Sequence, residues 1–239
     1  MSKVEILNSV DHGDLKIITE RSEASGDGYM CVPTFPREFR SVQAHYPIVF
    51  SKNKQSGDFT PLALLGLEDN ENLFLREGVW DANYIPLCAE AKPFLIGPGQ
   101  QSVGDEGPQW SIHVDMSSPK LSREKGLPLF KEFGGNSEFV ERMGGVLSAI
   151  HDGIGEVKPF TDLLVKLDLL ESFAVETTLK NGQKANFTGF YVINEDRLAN
   201  LSKDELLDLH ASAYLFDIYM LVASLSHFQE LFVRKNERL

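Results

Sequence analysis

The chain has 239 residues, 42% of them hydrophobic and 24% charged, with a formal net charge of −12. This is enough apolar material for a core that needs no disulfide or metal staple. The acidic balance repels phosphate backbones, and the one basic run, FVRKNER at 232–238, is short and broken by Glu237, so nucleic acid is excluded as an expected partner.

The N-terminal MSKVEILNSVDHGD has one lysine followed by acidic and polar residues, without the apolar run of about 7–15 residues that a secretory signal needs. LKIIT (15–19) alternates as a short strand, and ERSEASGDGY (20–29) is polar and glycine-containing, hence a loop. Cys31 and Cys88 have no CxxC spacing and read as two buried thiols of a reducing compartment, with a disulfide between them as the alternative. PREFRSVQAHY (36–46) predicts a short helix with Pro36 in its first turn. YPIVFSK (46–52) and PLALLGL (61–67), separated by the turn residues of NKQSGDF, predict a hairpin. KPFLIG (92–97) and WSIHVDM (110–116) form a second strand pair. The glycine- and proline-rich loop between them, 98–109, is a lid or a mobile connection.

The period then changes. Phe139, Val140, Met143, Val146, Leu147 and Ile150 recur at helical spacing with Ser137 as N-cap, and 159–170 predicts a second helix. FAVETTL (173–179) and FTGFYVI (187–193) alternate on either side of the hairpin turn Asn181-Gly182. SKDE (202–205) fits a capping box, opening a long helix through Leu206, Leu209, Ala213, Phe216, Met220, Leu225, Phe228 and Phe232. Apolar residues wrap most of its middle, so it is expected to be buried. That middle, 213–225, is shorter than the ~20 residues of a membrane span and contains Asp217. The order of elements predicts an α+β fold with a mostly antiparallel sheet, several helices and a long buried C-terminal helix. A single domain over 1–239 is expected, with a soft division near 120–135. A cytoplasmic location without a membrane span completes the expectation.

The whole chain resembles the SapC family. The resemblance is carried, in order, by YPIVF (46–50), LLGLEDNENLF (64–74), Trp80, YIP (84–86), PF (93–94) and VDMSSPKLS (114–122). It continues through Leu129-Phe130 and Phe133-Gly134, FYVINEDRLANLS (190–202) and the terminal SLSHFQEL (224–231). The resemblance implies an accessory protein of bacteria. The family's link to surface-layer proteins implies export or assembly of an envelope protein. Its genomic company of flavin-dependent halogenases, cupin-like hydroxylases and TonB-dependent receptors implies a part in modifying or importing a small molecule or peptide. Two departures stand out. Ala211-Ser212-Ala213 occupies the place where the family has a glycine near the start of the terminal helix, and His113 is outside the family pattern.

Three groups of residues are candidates for chemistry. Trp80 and Tyr84 would share a face at i, i+4 if 80–90 is helical, with Asp81 and Asn83 orienting a bound polar group; packing of both rings in the core is the competing reading. His113 and Asp115 alternate on one strand face, and with His151, His210 or His227 could complete a 2-His-1-carboxylate metal site; HxD is common by chance, and a solvated strand face or a local hydrogen bond is the favoured reading. His210, Tyr214, Asp217 and Ser224 recur on one face of the last helix as a buried polar network, in which Asp217 must be paired or protonated. The chain has no P-loop, GxGxxG, GxSxG or HExxH, so no cofactor is expected. The function expected is a non-catalytic binding or adaptor protein for a small molecule, peptide or partner protein. A His-x-Asp oxygenase or a surface-layer export factor is the alternative.

Overall fold

The computed structural model describes residues 3–99 and 110–239; the expectation for 98–109 therefore falls almost wholly outside the described residues. In chain order, the short strands β1 (Val4–Ile6), β2 (Lys16–Ile17) and β3 (Cys31–Pro33) precede α1 (Pro36–Val42). Pro36 stands at the first turn of α1, where its missing N–H costs nothing. The predicted hairpin follows as β4 (Ile48–Lys52) and β5 (Phe59–Leu64), then β6 (Leu75–Arg76) and β7 (Val79–Trp80), the one-turn α2 (Leu87–Glu90), and the expected pair β8 (Phe94–Pro98) and β9 (Trp110–Asp115). β10 (Leu121–Ser122) and β11 (Leu127–Pro128) lead into α3 (Glu138–Lys166). The chain closes with β12 (Leu170–Thr178), β13 (Lys184–Ile193), α4 (Glu195–Ala199), α5 (Lys203–Ala211), α6 (Tyr214–Ser224) and α7 (Phe228–Glu237).

The residues cluster into two units that interleave in sequence. The first holds the chain up to Gly28, Leu75–Trp80 and Leu87–Asp152; the second holds Tyr29–Phe74, Asp81–Pro86 and Gly153–Leu239. None of these boundaries falls within 120–135.

The first unit contains the antiparallel sheets β1-β9-β8 and β10-β2-β11 and the hairpin β6-β7. Phe94 and Val114 of the first sheet are buried, as are Val140, Met143 and Leu147 of α3, and Phe94 meets Phe139 at 5.9 Å between ring centroids. The polar stretch 20–29, expected as a loop, instead forms a short π-helical segment over Glu23–Asp27, with the Ser22 hydroxyl accepting the Ser25 N–H at 3.1 Å, and it is ordered by charge. The fully buried Asp27 carboxylate accepts from Lys120 Nζ at 2.6 Å and Arg21 Nη1 at 3.1 Å, and Arg21 also reaches the Ala89 carbonyl. Burial pushes the Lys120 ammonium below its ordinary range, against the pull of Asp27.

The second unit is built on the antiparallel sheet β12-β13-β4-β5-β3. Ile48, Val49, Phe50, Ala63 and Leu64 of its central strands are buried, and α6 lies against β4 and β13. The β12–β13 connection uses the expected turn chemistry: Gly182 takes φ +83°, which only glycine adopts without cost, and Asn181 Oδ1 accepts the Gln183 N–H at 3.0 Å. Phe173 and Phe187 gather around Phe228 of α7, at 5.0 and 5.5 Å.

Two helices differ from expectation. The two runs around 139–150 and 159–170 form one 29-residue helix that passes through Pro159. The apolar spacing of Met143, Leu147, Ile150, Phe160 and Leu164 stays in phase across the proline, so all five are buried on one stripe. Gly153 fits because a Cβ there would stand 2.1 Å from the ring of buried Phe35. Conversely, the C-terminal stretch is helical through 237 but not one rod: Ala213 takes φ +62°, and the axis bends by 98° between Lys203–Ala211 and Tyr214–Glu237. Burial is also one-sided. Ile218 and Leu221 face the core, whereas Phe216 and Tyr219 are about half exposed. Among the described residues, no single helix is long and apolar enough to cross a membrane.

Candidate functional site

The residues 80–87 are not helical. Trp80 ends β7 and is buried; Asp81–Pro86 runs as an irregular strap; only Leu87–Glu90 forms a turn of helix. Proline at 86 disfavours helical geometry at 85, which breaks the assumed i, i+4 face of Trp80 and Tyr84. Trp80 falls in the first unit, whereas Asp81, Asn83 and Tyr84 fall together in the second.

The strap is held at two points. At its start, the Asp81 N–H donates to the Phe74 carbonyl at 2.7 Å, and the guanidinium of Arg234 on α7 grips Asp81 twice. Nη1 donates to the carboxylate at 2.8 Å and Nη2 to the carbonyl at 3.2 Å. The same guanidinium stands over the Phe74 ring at 4.4 Å and donates from Nε to Glu230 at 2.9 Å. Further along, the buried Tyr46 hydroxyl donates to the Tyr84 carbonyl. The Tyr84 hydroxyl in turn donates to Glu38 Oε1 at 3.0 Å, and Thr34 Oγ1 donates to Glu38 Oε2 at 2.7 Å. Glu38 is 3% exposed, so these hydroxyls replace water around a carboxylate withdrawn from solvent. Between the two anchors Asn83 is exposed and Tyr84 is half-buried. The strap thus offers an amide and a phenol edge on a backbone fixed by neighbouring elements.

Sequence reasoning missed Glu38, Tyr46 and Arg234. Arg234 and Lys235 lie in the run weighed only as a nucleic-acid patch. Their charges are spent inside the chain, Arg234 on Asp81 and Glu230, Lys235 on Glu71 at 2.6 Å and Glu68 at 3.1 Å. The signal present was the density of acids from Glu68 to Asp81 facing a chain otherwise poor in basic runs.

The other candidates are dispersed. His113 Nε2 lies 3.2 Å from the Pro98 carbonyl, and Asp115 Oδ1 accepts from the Ser117 N–H and hydroxyl at 3.0 and 2.6 Å. His151 packs on Trp110 with ring centroids 4.2 Å apart. Among the described residues, no group of three or more His, Cys, Asp or Glu side chains is placed to hold a metal ion. The expected polar network of His210, Tyr214 and Asp217 is divided by the bend at Ala213: His210 is exposed on α5, and the other two lie on α6. Tyr214 packs edge-on against Phe160 at 5.0 Å. Burial, and then the charge of Glu156, push the Asp217 carboxyl up to about 6; Glu156 itself pairs with Arg37 at 2.5 Å. Burial and the same two acids raise the Tyr214 phenol. Ser224, the last of the stripe, is buried and bonds Ile48 at 3.0 Å.

These features define an antiparallel α+β protein in which a hydrogen-bonded strap over 81–86 leaves Asn83 exposed. A family model described as SapC matches residues 7–231, and the chain belongs to the SapC family. No curated protein and no solved structure gave a match.

Proposed function

We propose that this chain is a non-catalytic, cytoplasmic binding or adaptor protein that recognises a small molecule, a peptide or a partner enzyme through the strap 81–86. One observation carries the reading: Asp81 and Tyr84 are pinned by Arg234, Tyr46 and Glu38, while Asn83 between them is left to solvent. A segment fixed before binding loses little entropy on association, and exposed polar and aromatic groups on fixed loops are the usual material of recognition. The role of Trp80 in this reading is to end the hairpin that leads into the strap, not to stack on the ligand.

Affinity capture from cell extract, followed by native mass spectrometry, tests the proposal. Wild-type protein is expected to retain a ligand or partner that Asn83→Ala and Tyr84→Phe retain at least tenfold less. Wild-type protein recovered alone and unliganded, together with turnover of some substrate, would overturn it. Membership of the SapC family favours a second reading, an accessory role in export or assembly of a surface layer, which deletion of the gene and inspection of the envelope would test.

A further inference from the structure

The five-stranded sheet of the second unit ends on β12, whose outer edge is open. The Leu169 carbonyl accepts the Asn194 N–H at 2.9 Å, and the Leu179 N–H donates to the Gln183 carbonyl at 2.8 Å. These two bonds fix the phase of the ladder. In the observed register, Glu171, Phe173, Val175 and Thr177 turn their N–H and C=O groups toward β13. Ser172, Ala174, Glu176 and Thr178 turn theirs outward. β12 pairs with β13 alone, and among the described residues no hydrogen bond reaches the backbone of those four. Natural sheets blunt a free edge by shortness, proline, lysine or a bulge that twists it away. The opposite edge, β3, has three residues and ends in Pro33. β12 has nine residues without proline, glycine or lysine. The bulge in this pair lies on β13, which sets Thr188 and Gly189 opposite Ala174.

We infer that the outer edge of β12 takes up an extended segment of a partner protein as a further strand, and that this segment is basic and free of proline. A row of unpaired N–H and C=O groups is matched by another extended backbone, and side chains at alternate positions then set the choice of partner. On one face of β12, Phe173, Val175 and Thr177 are half-buried; on the other, Ser172, Ala174, Glu176 and Thr178 are exposed. The incoming strand meets an apolar margin on one side and a solvated one on the other, and its own residues alternate to match. Its charge follows from the acids along the edge. Asp168 and Glu171 are exposed and, among the described residues, have no ion pair, whereas Glu176 pairs with Lys184 at 2.7 Å. The net charge of −12 draws cationic segments and sets two copies of the chain against each other, which favours a basic partner over a second copy.

The edge is a surface other than the strap 81–86, and its test does not use the strap's ligand, so either idea can fail alone. The probe is a displayed library of random peptides matched to the nine residues of β12. Selection on the full chain is expected to enrich peptides with lysine or arginine, with apolar residues at alternate positions and without proline. With the most enriched peptide bound, the amides of Ser172, Ala174, Glu176 and Thr178 should exchange hydrogen about threefold to tenfold more slowly, the worth of one net hydrogen bond. Those of Phe173, Val175 and Thr177, already bonded to β13, should change less. Ala174→Pro removes an outward N–H that the β12–β13 ladder does not use, and should weaken binding by about threefold to tenfold. N-methyl groups on one set of alternate peptide residues should abolish binding, and on the other set should spare it. Enrichment of no peptide or of acidic or proline-rich ones, binding unmoved by Ala174→Pro, or protection elsewhere overturns the inference. A wild-type dimer in sedimentation that Ala174→Pro splits overturns the choice of occupant. If circular dichroism shows Ala174→Pro poorly folded, Glu171→Lys decides. It is expected to weaken the enriched peptide by about twofold to fivefold, and unchanged affinity counts against the inference.

Discussion

Ser224→Ala isolates one bond between a helix and the sheet. The hydroxyl, fully buried on α6, accepts the N–H of Ile48 at 3.0 Å and donates to the Leu221 carbonyl at 2.6 Å. Ile48 opens β4. The Leu64 N–H bonds the Pro47 carbonyl, so the next residue, Ile48, turns its own N–H away from β5. On that other side β13 pairs with β4 only at Phe50 and Ser51, which leaves Ile48 beyond the ladder. Ser224 supplies the acceptor that the missing strand pair would have supplied. Alanine removes it and leaves a buried N–H without a partner, at a cost of about 1–3 kcal/mol. The volume lost is less than a methyl group, so the cavity contribution is small. With about 2–4 °C per kcal/mol for a chain of this size, a central value of about 2 kcal/mol lowers the melting temperature by about 4–8 °C. Circular dichroism melts and urea titration measure it, and the urea slope should stay constant while the midpoint falls. A melting temperature within about 1 °C of wild type would refute the argument that Ser224 is the acceptor Ile48 depends on.

Two further outcomes are expected. The Asp217 carboxyl, raised to about 6, contributes stability that is complete below its ordinary value of 3.8 and is lost as pH rises through 6. Asp217→Asn should therefore be more stable than wild type at pH 7.5, by about 1 kcal/mol after allowance for solvent screening of a half-buried group, with the gap closing toward pH 4. Melting temperatures of both proteins across that range decide it, and a gap independent of pH would sink it. Ala213→Gly should stabilise: a left-handed Cβ residue costs about 1–2 kcal/mol, glycine's added freedom when unfolded costs about 0.5–1 kcal/mol, and the difference raises the melting temperature by about 1–4 °C. A lower melting temperature would show that the alanine methyl makes packing contacts outweighing its strain.

Local signals were legible where the chemistry is local. Pro36 marked the start of α1, Asn181-Gly182 marked the hairpin of β12 and β13, and both bonds of the Ser202–Glu205 capping box are present. Periodicity reads apolar phase but not backbone handedness. It therefore split α3 at a proline the packing tolerates and ran straight through Ala213, where the chain turns left-handed. Left-handed geometry usually asks for a glycine, and Ala211-Ser212-Ala213 contains none to announce the turn. Strands as short as β6 and β7 have too few residues for alternation to register. The strap's anchors were illegible for another reason: Tyr84 meets partners 38 and 46 residues away, and Asp81 meets one 153 residues away. Reading 80–87 alone nominated candidates for binding, but not which neighbours would hold them.

The pairing of β13 with β4 also shapes how the protein is made. A chain emerging from the ribosome exposes β4 and β5 first, whereas the strand that flanks β4 is synthesised more than a hundred residues later. Until then Val49 and Phe50, buried in the finished sheet, sit on a hairpin with one edge open. Contacts this remote are late and slow to form, so the nascent polypeptide is the species most exposed to aggregation. Yield at low temperature or with chaperones present should respond more to the sequence of β4 than to that of the late helices.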